Sequence, residues 1–264
     1  MYAVNYHRAS SVAEAATLLK NGDAKVLSGG MTLIPAMKTR LAAPSDVVDI
    51  SRIGELKGVK VSGRTVTIGG ATTHAEVAAD AGLKAVAPAV SHLAGQIGDP
   101  HVRHRGTIGG SVANNDPAAD YPAALTALAA TIVTSTREIA ADDFFTGLFE
   151  TALEEGEIVT AVRFDAPEKA AYEKFRNPAS LYAIAGVFVA KGMDGVRVAV
   201  TGAGENGVFR QADMEAALGN SFDAAALEAI SVSADGLMSD IHASAEYRAN
   251  LVKVMARRAV AKAA

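Results

Sequence analysis

Two glycine pairs are the residues in this chain best suited to chemistry. Gly29-Gly30 lies in "AKVLSGGMTL", and Gly109-Gly110 lies in "RGTIGGSVANNDPAADYP", about 80 residues later. Glycine admits positive φ and lets a ligand approach the backbone closely. A Gly-Gly between a strand and a helix start can also aim unpaired amides at an anion, most simply a phosphate. Thr107 and Ser111 flank the second pair with hydroxyls. Together the two pairs could grip a pyrophosphate from both sides with neutral donors. Asp120 follows, a carboxylate that could accept from ribose hydroxyls or cap the helix behind it. The plain alternative for either pair alone is a tight turn.

Other chemistry falls away on spacing. His101 and His104 stand three apart in "GDPHVRHRG", but only Asp99 is near enough to complete a metal site, so a solvated basic loop is expected. "GAGENG", Gly202 to Gly207, spells a dinucleotide fingerprint after a strand. Val208-Phe209-Arg210 then reads as extended, whereas the fingerprint needs a helix opening within the glycines. "GGSVA" is not a nucleophile elbow. With no cysteine, the chain can hold no iron–sulfur cluster through thiolates, so redox work would need an organic cofactor or a partner's metal.

The elements that must position these residues are legible in outline. "SSVAEAATLLKNG" reads as a helix capped by Ser11 or Ser10, "AKVLSGG" as a short buried strand, and "MTLIPAMKTRL" as a helix beginning near Thr32. "DVVDI" is a strand, and "VKVSGRTVTIGG" a hairpin around Ser62-Gly63. Thr73 with Glu76 makes a capping box, and Pro88 bends or divides the helical run after it. Residues 105–122 read as loop, followed by a small-residue helix "PAALTALAA" capped by Asp116 or Asp120. "TIVTSTREIAADDFF" is a hairpin and "EIVTAVRFDAP" a strand. "AIAGVFVAK" and "GVRVAVTGAG" are strands around Gly192 to Gly195, and the tail from Gln211 is mostly helical, its longest helix spanning about residues 241–262. Asp165 to Glu168 looks like a linker. Strands mixed with helices, then strands followed by helices, imply two α+β domains meeting near residue 167.

The chain of 264 residues is long enough for a real core, and half of it is hydrophobic. A net charge of -4 gives no broad basic face, which argues against nucleic acid as a partner. No apolar run approaches the roughly 18 residues that a transmembrane span needs. "MYAVNYHRASSVAEAATLLKNG" has no signal core, so a cytoplasmic location is expected.

At these residues the chain resembles a known family. "LSGGMTLIPAMKTRL" is similar to the first FAD loop, and "IGDPHVRHRGTIGGSVANNDPAADYPAAL" to the second, of the FAD-binding medium subunits of molybdenum hydroxylases. The aerobic carbon monoxide dehydrogenase type is nearest in pattern, and xanthine dehydrogenase FAD-binding subunits belong to the same family. "ADDFFTGLFETALEEGEIVTAVRF" and "YEKFRNPASLYAIAGV" fit as well, so the resemblance covers nearly the whole chain. It implies an α+β fold: a PCMH (vanillyl-alcohol-oxidase)-type FAD-binding domain of two α+β subdomains over residues 1–167, and a smaller C-terminal domain with an antiparallel sheet and helices over residues 168–264. By motif, Ser28, Gly29, Gly30, Met31, Thr32 and Leu33 would line the first loop, and Thr107, Ile108, Gly109, Gly110, Ser111 and Asn114 the second. Asp120 would bind FAD further along, with Val159 and Lys174 near the flavin and Ile97 and Tyr182 on the two faces of its ring. Ser28 stands where the family has Ala, Met31-Thr32 where it has His-Ser, and Ser111 where Asn is frequent. Each keeps its backbone amide.

The function implied by the resemblance is electron transfer. This chain would carry FAD, take electrons from two [2Fe-2S] clusters on a small partner subunit, and pass them to an external acceptor. A large partner subunit would hold the molybdopterin cofactor and the substrate, within a dimer of heterotrimers. Any membrane association would come through that complex. No catalytic side chain and no metal ligand is expected here. The competing readings are a self-sufficient FAD-dependent oxidoreductase of the same fold and a nucleotide-binding module without redox chemistry. Arg103 and Arg105 are candidate steering charges for an acidic partner, the alternative being that they pair internally or meet only solvent.

Overall fold

The computed structural model describes residues 1–263. The first unit is β1 (Asn5–Arg8), α1 (Val12–Leu18), β2 (Ala24–Leu27), α2 (Leu33–Lys38) and β3 (Asp46–Asp49). Its three strands form a parallel sheet in the order β1-β3-β2. Ser11 caps α1 by accepting from the Glu14 amide, while the Ser10 amide and hydroxyl both donate to the Glu14 carboxylate. Val48, Ile50, Ala15 and Leu19 close a small core beneath the sheet.

The second unit begins with β4 (Val59–Ser62) and β5 (Thr65–Gly69), the hairpin expected around Ser62-Gly63. Five helices follow: α3 (His74–Ala79), α4 (Ala81–Val86), α5 (Pro88–Gly95), α6 (Pro100–Arg103) and α7 (Ile108–Asn114). The Thr73–Glu76 capping box forms at the head of α3. Pro88 divides α4 from α5, occupying the first position of α5, where its missing N–H costs nothing. After α8 (Asp120–Ala127) come β6 (Thr131–Thr134), β7 (Glu138–Ala140), α9 (Ala141–Phe144), β8 (Phe145–Gly147), β9 (Glu150–Thr151) and β10 (Val159–Asp165). The large sheet has the order β4-β5-β10-β6-β7, and every pairing is antiparallel.

The third unit is β11 (Lys169–Arg176), β12 (Ala183–Gly192), β13 (Gly195–Thr201), β14 (Phe209–Arg210), α10 (Ala212–Asn220) and α11 (Ala245–Lys262). Its antiparallel sheet is buried on both faces. Val187, Val189, Val198 and Val200 pack against α10 and α11, while Tyr172, Phe188 and Ala199 join the core of the second unit beside Tyr121 and Leu125. This explains the unbroken apolar run of β12, in which eight of ten residues are buried. All eight residues of α8 are buried as well. A helix wrapped on all sides is mostly apolar, its one charge, Asp120, being paired, and its alanines let it lie close to its neighbours.

Several elements depart from expectation. Residues 105–122 are not loop throughout: α7 fills residues 108–114. Ile108 and Val112, four apart and fully buried, give that segment a core-facing stripe. The Thr107 hydroxyl caps it, and Asn115, at φ 41°, ends it. "GDPHVRHRG" likewise holds α6, with Asp99 accepting from the Val102 amide and Pro100 in the first turn. Asp120 is not a cap. It is the first helical residue of α8, and Ala119 holds the cap position without a side-chain bond. The longest helix starts at Ala245, capped by Ser244, not near Ile241. Strands β1 and β11 were not foreseen. Gly202 to Gly207 run into β14, so no helix opens within those glycines, as expected.

Candidate cofactor site

The first glycine segment leaves the end of β2 and turns at Gly30, whose φ of 73° is left-handed and open to glycine at little cost. Its Gly29 is a packing residue: an added Cβ would strike the Arg105 carbonyl oxygen. Beyond it, the amides of Gly29, Gly30, Met31 and Thr32 have no acceptor among the described residues, and Met31 and Thr32 are exposed. Thr32, the cap of α2, makes no side-chain capping bond. Four neighbouring amides without acceptors at a solvent boundary suit an anion with several oxygens. Leu33, half-buried, opens α2 behind them.

The second segment is built differently. Its amides are spent: Ile108 donates to Thr72 O at 3.1 Å, Gly109 to Gly70 O at 2.8 Å, Ser111 to Thr107 O at 3.0 Å, and Gly110 to Thr107 Oγ1 at 3.2 Å. The expectation that this segment also delivers free backbone amides is therefore corrected. Gly109 exists for close packing, since an added Cβ would come within 2.6 Å of Gly70 O. Gly110 is exposed, and a Cβ there would meet only Thr107 Oγ1, at 3.0 Å. What this segment offers is a bare, approachable Cα and the half-buried Ser111 and Asn114.

Two contacts join the segments. Ser28 Oγ lies 3.0 Å from Thr107 Oγ1 across 79 residues of sequence, and Arg105 O covers Gly29. The structure thus brings Ser28 to Leu33 and Thr107 to Asn114 into one place. Gly70, not singled out from the sequence, is the seat of this arrangement, because it packs on both Gly109 and Val159 O. A signal was present: "TIGG" occurs twice, at 67–70 and 107–110.

His74 supports the second segment from below. Its amide donates to Gly106 O at 2.9 Å, and its ring fills the space where a Gly106 side chain would stand. Burial, aided by the Arg103 cation, lowers its pKa to about 4, so the ring is neutral. Arg103 itself donates to Ile97 O at 3.1 Å and Gly98 O at 2.7 Å. It is tied internally and is not a free steering charge. The Arg105 residue is exposed.

The remaining expected residues divide. Ile97 is half-buried against the central core, next to Gln96, which accepts from Arg176 at the end of β11. Tyr182 is 46% exposed in the loop before β12. Burial raises its pKa, helped by the charges of Asp116 and Asp120. Val159 is a core residue, 5% exposed, and not a surface contact. Asp120 and Lys174 are also interior. Lys174 Nζ sits 2.9 Å from Asp120 Oδ1 and 3.0 Å from Oδ2, with no exposed side-chain surface, and Tyr172 donates its hydroxyl to the same carboxylate. A free Asp120 carboxylate meeting a ligand directly is therefore not what the structure shows, since its oxygens are already engaged. Burial pushes the Asp120 pKa up and the Lys174 pKa down, while each partner opposes the shift of the other. Among the described residues no cluster of His, Asp and Glu could hold a metal, and no helix is long and apolar enough to cross a membrane.

Residues 2–167 match the FAD binding domain in molybdopterin dehydrogenase, and residues 170–263 match the CO dehydrogenase flavoprotein C-terminal domain. The chain is 38% identical to the carbon monoxide dehydrogenase medium chain of Afipia carboxidovorans, over 98% of this chain and 96% of that one. It is 35% identical to the glyceraldehyde dehydrogenase medium chain of Sulfolobus acidocaldarius, over 97% of this chain and 96% of that one. Among solved structures, reconstituted CO dehydrogenase from Oligotropha carboxidovorans superposes with a TM-score of 0.90 at 34% identity, covering 99% of this chain and 97% of that chain.

Proposed function

The chain belongs to the family of FAD-binding medium subunits of molybdenum hydroxylases, which are oxidoreductase subunits, and on that premise we propose that it binds FAD between its two glycine segments. The observation that carries this reading is the set of acceptor-free amides from Gly29 to Thr32, fastened through Ser28 to Thr107 at the head of the helix that bears the exposed Gly110. Those amides would take the pyrophosphate, with Thr32 and Ser111 adding hydroxyl donors. Ile97 and Tyr182 would meet the faces of the ring. Lys174 and Asp120 would act from behind the wall as a buried charge pair. FAD supplies two-electron redox chemistry, and the protein binds it, orients it and tunes it.

The relatives are medium chains of multi-subunit enzymes, and this chain is the corresponding subunit. We place residues 1–167 as its FAD domain and residues 168–264 as its C-terminal domain, in a cytoplasmic dimer of heterotrimers. The large subunit would hold the molybdopterin cofactor and choose the substrate, and the small one would feed electrons from two [2Fe-2S] clusters. Relatives named for carbon monoxide and for glyceraldehyde are 38% and 35% identical to this chain. That near-equality supports a substrate choice made on another chain. The test is co-purification and reconstitution. The isolated chain should take up stoichiometric FAD yet turn over no hydroxylase substrate until large and small partners are added. Turnover by the isolated chain would overturn the carrier role.

A further inference from the structure

Asp120 is held by two side chains, and the backbone just before it by a third. Tyr172 and Lys174, two apart on β11, point to the same face and meet its carboxylate, while Thr201 on β13 donates to Ala119 O at 2.6 Å and fixes the entry to α8. Tyr172 is 1% exposed, and its ring stacks on Phe188 with centroids 6.2 Å apart. Room for the hydroxyl is made at Gly186, which pairs with Lys174 in the sheet. A Cβ at Gly186 would collide with the Tyr172 oxygen and lie 3.1 Å from Thr201 Cγ2. Chain geometry on two strands therefore converges on one hydroxyl–carboxylate bond.

A buried carboxylate with a single ammonium partner is poised between two states: an ion pair, or a neutral acid beside a cation or an amine. A donated hydroxyl favours the ionised form. We propose that Tyr172 is a positioning residue for the flavin site, its hydroxyl holding Asp120 ionised so that the Asp120–Lys174 pair presents no net charge to the site wall. This rests on the reading that the flavin lies on that wall. The other charged or titratable groups near this cluster are Glu173 and Arg176 on β11, Tyr121 on α8, and Asp116 and Tyr182 in the flanking loops. β12 and β13 contribute Gly186, Phe188 and Thr201, none of which titrates. Without the hydroxyl, Asp120 takes up a proton more readily as pH falls, which leaves Lys174 as an uncompensated cation. Positive charge favours the more negative reduced flavin, so the midpoint potential should rise on the acid side.

Two readouts on the full chain test this. In the apo-protein, carboxylate carbon NMR, with Asp120 assigned by its absence in Asp120→Asn, should show Asp120 titrating at higher pH in Tyr172→Phe than in wild type. In the FAD-loaded chain, spectroelectrochemistry should give Tyr172→Phe a higher potential than wild type at low pH, converging with it at high pH. Unchanged Asp120 titration with FAD still bound would overturn the inference and leave the cofactor assignment standing. Absence of FAD binding in wild type would overturn the cofactor assignment and, with it, the role of Tyr172 at the flavin. If Tyr172→Phe does not fold, Gly186→Ala displaces the same hydroxyl. It should move the Asp120 titration in the same direction, and no movement would count against the proposal.

Discussion

The two glycine segments share a dipeptide and differ in almost everything else. In the first, the backbone between Gly29 and Thr32 has amides without acceptors and its second glycine has positive φ. In the second, the glycines lie within α7 and every amide from Ile108 to Ser111 already has an acceptor. One segment is a donor set, and the other is a smooth wall pressed against it. Each pair nonetheless divides its labour in the same way. Gly29 and Gly109 are packed on backbone, whereas Gly30 and Gly110 meet only side-chain atoms. A Gly-Gly motif thus marks a close approach by two different partners: the protein's own backbone at one residue and side chains at the next.

Substitutions can break that division, and the largest effect should come from the packed glycines. Gly109→Ala sets a methyl against Gly70 O, an overpacking that should cost about 3 kcal/mol and lower the melting temperature of the apo-protein. Gly110→Ala should leave melting unchanged or slightly raised, because alanine is a better helix former by about 1 kcal/mol. Equal melting of the two variants would contradict the assignment of Gly109 to packing.

Acid should find the second segment before the first. His74 is buried and neutral, with a pKa lowered from 6.5 to about 4. A depressed histidine contributes stability that is present above the unfolded value of 6.5 and is lost as pH falls toward the folded value of about 4. Roughly 3 kcal/mol of stability should disappear across that window. Hydrogen exchange should show the amides of residues 106–111 loosening there, ahead of residues 24–27. A His74→Phe variant that keeps the full pH dependence would assign the loss elsewhere.

The smallest effects sharpen the donor contrast. Thr32→Asp offers a carboxylate to free amides, so it should stabilise the apo-protein by about 0.5–1 kcal/mol while weakening FAD binding. Ser111→Asp should weaken FAD binding without stabilising anything, because its neighbouring amides are occupied. Melting curves with and without FAD would separate the two. Stabilisation by both variants would mean that the segments are alike after all.

The fold was largely legible in the sequence where local signals carry it. Ser11, the Thr73–Glu76 box, Pro88 and the turn at Ser62-Gly63 act over a few residues, and each appears where its chemistry requires. What was misread depends on distant partners. Residues 108–114 look like loop because glycine and asparagine disfavour helix, but the buried Ile108 and Val112 override propensity. Asp120 reads as a cap or a ligand, since nothing nearby in sequence announces Tyr172 and Lys174, more than 50 residues away. Arg103 reads as a surface charge for the same reason, although two carbonyls hold it. Both glycine segments stand out in the sequence, because their chemistry lies in the dipeptide itself. Their difference in free amides was not found, because it is set by Gly70 and Thr72.

The most direct test of the central claim is FAD binding by wild type and Gly110→Val, measured by calorimetric titration of the apo full chain with melting curves alongside. Wild type should take up stoichiometric FAD, and the variant should lose binding with its melting temperature kept. A Gly110→Val chain that holds stoichiometric FAD with wild-type affinity would contradict the claim that the cofactor lies between the two glycine segments.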